Sequence, residues 1–514
     1  MNVIETMERI ETARIEAAAG GAMNRLLRGL AVAALASCIA ISAHAASTTK
    51  GSAAAVKARK AIAANTHVKA ALAQIRRNDA ATLQEQIDIA QIPAPPFKEA
   101  VRAADYVRRL QAAGLTDAAI DAEGNVVSRR KGASKGPTLV LSAHLDTVFP
   151  EGTDVTVRQK DGRYYGRGLA DDSRGLAVLL TVLRAMQDNA IRTRGDVMFV
   201  GTVGEEGLGN LRGVKALFRN VTRIDGFLSV DSVGSPDDSE GRGKIINHAT
   251  GSRRWSVTFR TTGGHSFNNF GSPSAIHALG RAIAKIDELR PPSDPKTTFT
   301  VGVITGGTSV NAIAGEAQMQ VDMRSNSAVE LAGIEKQILA LVEEAVVDEN
   351  TRWNSQDTKV ETKLLGDRPA GTARSDTPVV QAALQAAAAL GLPEPTLVAA
   401  STDANVPLSL GIPAATVSGG GRGDKAHSLD EWYEPLDAWA GPQSVLLTVL
   451  ALVGVEGVSE PLLAVYSPPP VAGVRRHNFD TLQLHGGVRA SLRRLLARRE
   501  GALLIAAPDS ECAS

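Results

Sequence analysis

The chain has 514 residues, of which 44% are hydrophobic and 22% are charged, and its formal net charge is +1. These values are typical of globular proteins, and the length predicts two or three domains. The near-neutral charge gives no indication of nucleic-acid binding. Because Cys38 and Cys512 are the only cysteines, a disulfide framework and a cysteine-based zinc site are excluded. Any bound metal must be held by His, Asp and Glu.

The N-terminal region has the features of an export signal. Two arginines precede the apolar run 29–41, and an Ala-His-Ala motif follows it. This order predicts a periplasmic or extracellular protein whose mature chain begins near Ala46, so that residues 1–47 are an extension and signal peptide. The sequence before Cys38 also resembles a lipobox, which leaves a lipid-anchored form as an alternative.

The next part of the chain alternates between helical and extended patterns. An Ala- and Lys-rich linker is predicted for residues 48–64. Helices are predicted for residues 69–92, 98–113 and 173–186, and strands for residues 125–128, 138–143, 197–203 and 227–230. Alternation of this kind predicts an α/β fold with a mostly parallel central sheet. Ligand sites in such sheets lie at the carboxyl ends of the strands.

The pattern changes near residue 251. Strands with alternating polarity at 255–260 and 317–324, and helices at 274–289 and 328–346, predict an inserted α+β domain at residues 251–365. A helix at 379–390, a strand at 414–417 and a helix at 443–453 then resume the first pattern. The predicted catalytic domain therefore comprises residues 65–250 and 366–456.

The last segment, residues 457–514, is rich in Arg and Pro and is predicted to be a disordered tail. It contains an apolar helical face flanked by arginines. A helix that binds a membrane surface or a partner is therefore the alternative interpretation.

Acidic and His residues recur where predicted strands end. His144 and Asp146 follow the strand at 138–143, and side chains two residues apart on an extended chain point the same way. Four similar clusters follow in the chain: Asp171-Asp172, Glu205-Glu206, Asp231 and His427. Each alone has an ordinary explanation, such as a helix N-cap or an exposed loop residue. Together they predict a site for divalent metals that prefer oxygen and nitrogen ligands.

The motifs in combination resemble those of the M20 metallopeptidase family. This family includes glutamate carboxypeptidases, aminoacylases, and acetylornithine and succinyl-diaminopimelate hydrolases. The resemblance covers about residues 65–456 and rests on SAHLDTVFPEG, GRGLADD, GEEG, the Asp after LSV, GGHS and GGGRGDKAHS. LDTVFPEG and ADD are most similar to the glutamate carboxypeptidase branch.

The resemblance implies a pair of divalent ions, with zinc as the expected metal and cobalt or manganese as alternatives. His144 and Asp231 would bind one ion, Glu206 and His427 would bind the other, and Asp171 would bridge the two. A bridged pair of cations lowers the pKa of a shared water.

Further roles follow from the same resemblance. Glu205 would be the general base, which takes a proton from that water and delivers it to the leaving amine. Asp146 would orient His144. His265 would reach across a homodimer, formed through the inserted domain, to stabilise the oxyanion in the partner's site.

The resemblance also implies residues that bind the substrate or shape the pocket around it. Asn311 and Arg324 lie in the inserted domain, and Arg324 suits a bidentate grip on a substrate carboxylate. Gly420, within a run of three glycines, and the Thr402-Asp403 pair would shape the floor of the pocket.

The sequence therefore predicts an exported di-zinc hydrolase that cleaves peptide or amide bonds of small peptides in the manner of a carboxypeptidase or dipeptidase. An N-acyl amino-acid deacylase is the alternative enzyme. A catalytically inactive binding protein on the same fold is the alternative from another class, although all the expected ligands and the base are present.

Overall fold

The computed structural model describes residues 52–221, 223–238 and 243–465. The predicted export signal, Cys38 and the part of the tail beyond residue 465 lie outside the described residues. In the described ranges, every helix is too short or too polar to cross a membrane.

The regular elements follow one another in an order dominated by strands after residue 119. The helices are α1 (Ala53–Ala64), α2 (Thr66–Arg77), α3 (Asp79–Ala90), α4 (Ala100–Ala112), α5 (Arg174–Asp188), α6 (Arg212–Asn220), α7 (Ala275–Asp287), α8 (Ala328–Arg352), α9 (Pro378–Ala389), α10 (Asn405–Ser409) and α11 (Ala440–Val453). The strands are β1 (Ala119–Ile120), β2 (Val126–Arg130), β3 (Thr138–His144), β4 (Arg158–Lys160), β5 (Arg163–Tyr165), β6 (Asp196–Thr202), β7 (Gly226–Val230), β8 (Lys244–Ala249), β9 (Gly251–Arg260), β10 (Gly264–His265), β11 (Thr297–Gly306), β12 (Ala312–Ile313), β13 (Glu316–Ser325), β14 (Lys359–Arg368), β15 (Gly371–Thr372), β16 (Thr396–Ala400), β17 (Ala414–Val417), β18 (Arg422–Asp424) and β19 (Trp432–Glu434).

The central sheet has the strand order β1-β2-β6-β3-β7-β17-β8-β15, with β16 beside β8. Its centre is parallel, since β3 pairs in parallel with β6 and β7, and β17 pairs in parallel with β7. Its flanks are antiparallel at β1, β2 and β15. The α/β fold is confirmed, but the sheet is mixed rather than mostly parallel. No crossover helix connects β2 to β3 in the chain. In the sheet β6 lies between them, and β2 runs antiparallel to β6 whereas β3 runs parallel to it.

Burial explains why β3 organises the sheet. All seven residues of β3 are buried, as are all five of β7. Helix α5 is buried along nearly its whole length and packs against β3. An apolar strand covered on both faces needs no alternation of polarity, which is the pattern of a parallel sheet core.

Two predictions about the first helices are corrected. The segment predicted as a linker contains helix α1, whose N-terminus is capped by Ser52 and whose Ala55, Ala58 and Ile62 are buried. Small alanines let this helix approach α9 and α11 closely, although its composition resembles that of a linker. The helix predicted for 69–92 is interrupted at Asn78, which ends α2 and begins α3.

The inserted α+β unit has a second sheet, of order β11-β13-β9-β14, in which every pairing is antiparallel. Helices α7 and α8 pack on it around a separate core that includes Phe259, Met319 and Ile338. Strand β14 continues to Arg368, three residues beyond the predicted boundary at 365. The domain boundaries themselves stay a prediction.

Candidate active site

Three of the predicted site segments leave neighbouring strands of the central sheet. β3 ends at His144, β6 ends just before Glu205-Glu206, and β7 ends just before Asp231. Because β3 lies between β6 and β7 and all three are parallel, their carboxyl ends meet at one edge. The turn at Leu169–Ser173, before α5, brings Asp171 to the same edge.

Asp171 lies between the two imidazoles. Its Oδ1 is 2.9 Å from Nε2 of His144, and its Oδ2 is 3.0 Å from Nε2 of His427. Asp231 Oδ1 lies 4.0 Å from the His144 Nε2, and Glu206 Oε1 lies 3.0 Å from the His427 Nε2. The five predicted ligands thus lie in two groups that share the Asp171 carboxylate, and their assignment as metal ligands stays a prediction.

The electrostatics of this cluster favour the binding of a cation. Burial raises the pKa of Asp231 well above its usual value, and the neighbouring charges of Asp171 and the two glutamates add to this. Hydrogen bonds with Asp171 and Glu206 raise the pKa of His427 to about 10. Buried carboxylates that crowd together require positive charge nearby. Carboxylate oxygens and imidazole nitrogens converging in this way suit a divalent ion.

Asp172 is a second acidic residue near His144 and Asp231, but its oxygens serve the backbone. One oxygen accepts from the N–H of His144 at 3.0 Å, and the other accepts from the N–H of Gly175 at 3.0 Å. Asp172 is completely buried. Asp171, whose oxygens face the two imidazoles instead, is therefore the better candidate for the bridging position.

Glu205 is buried beside the cluster and pairs with a residue that the sequence interpretation missed. Its Oε1 accepts a hydrogen bond from Nη1 of Arg368 at 3.0 Å, and its backbone carbonyl accepts from Nη2 of the same guanidinium. Both side chains are 7% exposed. Arg368 ends β14 of the inserted sheet, and no sequence signal pointed to it because the partners are 163 residues apart.

Asp146 has a different set of contacts from those expected. The Nδ1 of His144 bonds to the backbone carbonyl of Asp146 at 2.9 Å, while the carboxylate is 3.7 Å away. The carboxylate oxygens instead accept from the backbone N–H groups of Glu205 and Glu206, at 3.1 and 2.8 Å. Asp146 therefore orients the segment that carries both glutamates, and its backbone orients His144.

The predicted residues of the inserted unit are not in contact with this cluster. His265, on β10, is exposed, and its Nδ1 accepts from the backbone N–H groups of Phe267 and Asn268. Asn311 lies beside it, since the N–H of Ser266 donates to the Asn311 carbonyl at 3.0 Å.

Arg324 and Gly420 make their contacts with residues other than the predicted ligands. Arg324 is half-exposed on β13 and donates from Nε to Asp322 at 2.8 Å. Gly420 has φ +84° in the segment before β18, and a Cβ there would meet the Ala438 carbonyl at 2.4 Å. The glycine is therefore required for close packing, while the substrate-binding roles of Arg324 and Gly420 stay predictions.

Comparisons with known proteins identify relatives in sequence and in fold. The chain is 26% identical over 267 residues to succinyl-diaminopimelate desuccinylase of Paraburkholderia xenovorans, a match that covers 48% of this chain and 69% of that protein. A tripeptidase from Staphylococcus aureus superposes with a TM-score of 0.61 at 24% identity, over 72% of this chain and 98% of that one. A dinuclear metal-binding M20 peptidase from Bacillus subtilis gives a TM-score of 0.55 at 15% identity, over 74% and 99%. These superpositions show a shared fold.

A family match covers the segments that build the site. Residues 140–451 match the model of peptidase family M20/M25/M40, which is more than half of the chain. All the predicted ligands lie within this range. The protein therefore belongs to the M20 peptidase family and is a hydrolase of peptide or other C–N bonds.

Proposed function

We propose that the protein is an exported hydrolase that uses two divalent ions, with zinc as the native metal, to release a terminal residue from small peptides. The observation that carries this proposal is the position of Asp171 between His144 and His427, with Glu206 and Asp231 completing the two sets. Two imidazoles and three carboxylates suit zinc in a site that contains no thiolate.

The residues divide the chemistry among them. Two divalent ions held by these ligands would supply Lewis acidity and a water of lowered pKa. Glu205 would act as the general base, which accepts a proton from the attacking water and delivers it to the leaving amine. Arg368 holds the Glu205 carboxylate at one edge of the cluster, and Asp146 holds the backbone of Glu205 and Glu206.

The same proposal includes a homodimer formed through the inserted unit. Strand β11 is at the edge of its sheet and exposes Val303 and Ile304. Phe267 and Phe270, near His265, are 84% and 80% exposed. Exposed apolar side chains along an unpaired strand edge favour association with another copy. A partner copy is needed if His265 is to stabilise the oxyanion, because His265 does not contact the metal ligands of its own chain.

A second candidate function is the deacylation of an N-acyl amino acid. It is favoured by the similarity to a desuccinylase, which removes an acyl group from an amine. The predicted export favours the peptidase, because a peptidase outside the cytoplasm can scavenge peptides.

The experiment combines metal analysis with a substrate panel on the full chain produced in an exporting host. We expect about two zinc ions per chain, loss of activity with a chelator, and recovery with zinc. The panel contains dipeptides and tripeptides with free or blocked termini, together with N-succinyl and N-acetyl amino acids. Cleavage of the acyl amino acids alone would favour the deacylase. A fully active metal-free protein would contradict both enzymes, and metal binding without any hydrolysis would favour an inactive binding protein.

A further inference from the structure

Glu431 is a buried carboxylate that no part of the proposed chemistry uses. It is 1% exposed and lies just before β19, four residues after His427. Its Oε2 accepts from the N–H of Gly168 at 2.8 Å, and its Oε1 accepts from the N–H groups of Ala170 at 2.8 Å and Asp171 at 3.3 Å. Three backbone donors of one turn therefore converge on this single side chain.

The contacts of Glu431 join two segments that are about 260 residues apart in sequence. One is the turn that carries Asp171, between β5 and α5. The other is the loop that carries His427, between β18 and β19. Backbone pairing supports the same junction, since the Gly166 N–H donates to the Glu431 carbonyl at 3.2 Å and Trp432 pairs with Tyr165.

The backbone conformation of the Asp171 turn leaves N–H groups that require an acceptor such as the Glu431 carboxylate. Gly168 has φ +71°, and Asp171 and Asp172 have non-helical backbone angles, so the N–H groups before α5 are not satisfied by a regular helical turn. No Lys or Arg nitrogen lies within 4 Å of Glu431 among the described residues, so its carboxylate has backbone partners instead of an ion pair. A carboxylate surrounded by successive backbone N–H groups is a strong and directional contact.

We propose that Glu431 is a positioning residue for the metal centre: by binding the backbone of the Asp171 turn from the His427 loop, it fixes the orientation in which Asp171 presents one oxygen to each imidazole. The orientation of a ligand by its hydrogen-bonded neighbours is worth about 10–100-fold in metal affinity. Because Asp171 belongs to both predicted ligand sets, the loss of Glu431 should lower the affinity of the protein for both ions. This inference rests on the proposed function, since it requires Asp171 to bind metal.

The test is a zinc titration of Glu431→Gln. Glutamine has nearly the same size but only one acceptor oxygen, so one of the backbone donors would face its NH₂ group. Glu434→Gln is the matched control, because Glu434 is in the adjoining strand β19 and pairs with Arg422 outside the metal centre. Each full-length protein is stripped with a chelator, its melting temperature is recorded, and zinc chloride is titrated against a chromophoric chelator.

We expect Glu431→Gln to bind zinc about 10–100-fold more weakly at both sites and Glu434→Gln to match the wild type. Activity of Glu431→Gln should rise again at high zinc. A merely structural residue would lower the melting temperature of the metal-free protein and leave the zinc affinity of the folded fraction unchanged, which would overturn the inference. If Glu431→Gln does not fold, Glu431→Asp retains the charge but draws the carboxylate back from the turn. Wild-type zinc affinity in folded Glu431→Asp would equally overturn the inference.

The two proposals fail in different ways. A wild-type protein that binds no divalent ion would refute the proposed function. A wild-type protein that binds two zinc ions, with Glu431→Gln binding them equally well, would refute only the role of Glu431.

Discussion

Glu205 and Glu206 are adjacent and chemically identical, so exchanging each for glutamine gives a sharp test of their different roles. Glu205→Gln retains the size of the side chain and an oxygen that can accept from Arg368, whose Nη1 is 3.0 Å from Oε1. The variant should therefore fold normally and retain both metals. Removal of a general base costs about 10²–10⁴-fold in kcat, or about 2.7–5.5 kcal/mol in the activation free energy. KM should change little, because the lost proton transfer acts in the transition state.

Glu206→Gln should behave in the opposite way. Glu206 Oε1 lies 3.0 Å from the His427 Nε2, within the ligand set that includes Asp171. Replacing a charged ligand with a neutral amide should weaken the binding of one of the two ions. About one equivalent of metal per chain should therefore be lost on dialysis. Because the general base remains, added zinc should restore part of the activity.

The assay pairs metal content, measured by mass spectrometry after dialysis, with kcat and KM at low and high zinc. Glu344→Gln is the control, since Glu344 is exposed on helix α8 and pairs with Lys285 rather than with a predicted ligand. If Glu205→Gln loses metal and Glu206→Gln retains it, the two roles are reversed. If both variants remain fully active, this cluster is not the catalytic centre.

Three further predictions follow from other parts of the chain. If His265 acts across the dimer, mixing inactive variants that lack His265 or Glu205 should restore part of the activity in heterodimers; a fully active monomer would rule this out. N-terminal sequencing of protein from an exporting host should find a start near Ala46, and an intact Met1 on active protein would contradict export. Burial, together with the charge of Glu205, raises the pKa of Asp403 to about 7. Folded metal-free protein then binds a proton that the unfolded chain has released, so its free energy of unfolding should fall between about pH 4 and pH 7. Asp403→Asn should flatten this dependence in urea titrations, whereas an unchanged slope would show that Asp403 is already ionised.

The strands that build the site were predictable because burial on both faces leaves a strong local pattern. The prediction for 414–417 coincides with β17, and the observed β3, β6 and β7 differ from the predicted bounds by one residue at one or both ends. Parallel strands with crossover helices also bring their carboxyl ends to one edge. The convergence of His144, Glu206 and Asp231 therefore follows from local patterns combined with one rule of topology.

Helix α1 and the glutamate and arginine that support the site could not be predicted in this way. The sequence of helix α1 predicts a linker because alanine and lysine give little amphipathic contrast, whereas its buried face depends on packing against α9 and α11. Arg368 and Glu431 make their contacts with segments 163 or more residues away. A charged residue at the end of a strand is usually solvated, so only tertiary structure distinguishes these two from the other Arg and Glu residues.

The difference between the two adjacent glutamates has its origin in this long-range structure. The Asp146 carboxylate accepts hydrogen bonds from the backbone N–H groups of both Glu205 and Glu206, so these backbone contacts do not distinguish the two residues. Only their side-chain partners differ: Glu206 faces His427 of the central fold, whereas Glu205 faces Arg368 at the end of the inserted sheet. The positive charge of the Arg368 guanidinium beside Glu205 repels a divalent ion, which favours Glu206 over Glu205 as the metal ligand. If Glu205 is the base and Glu206 a metal ligand, as proposed, the last strand of the inserted sheet supplies the cation that distinguishes them.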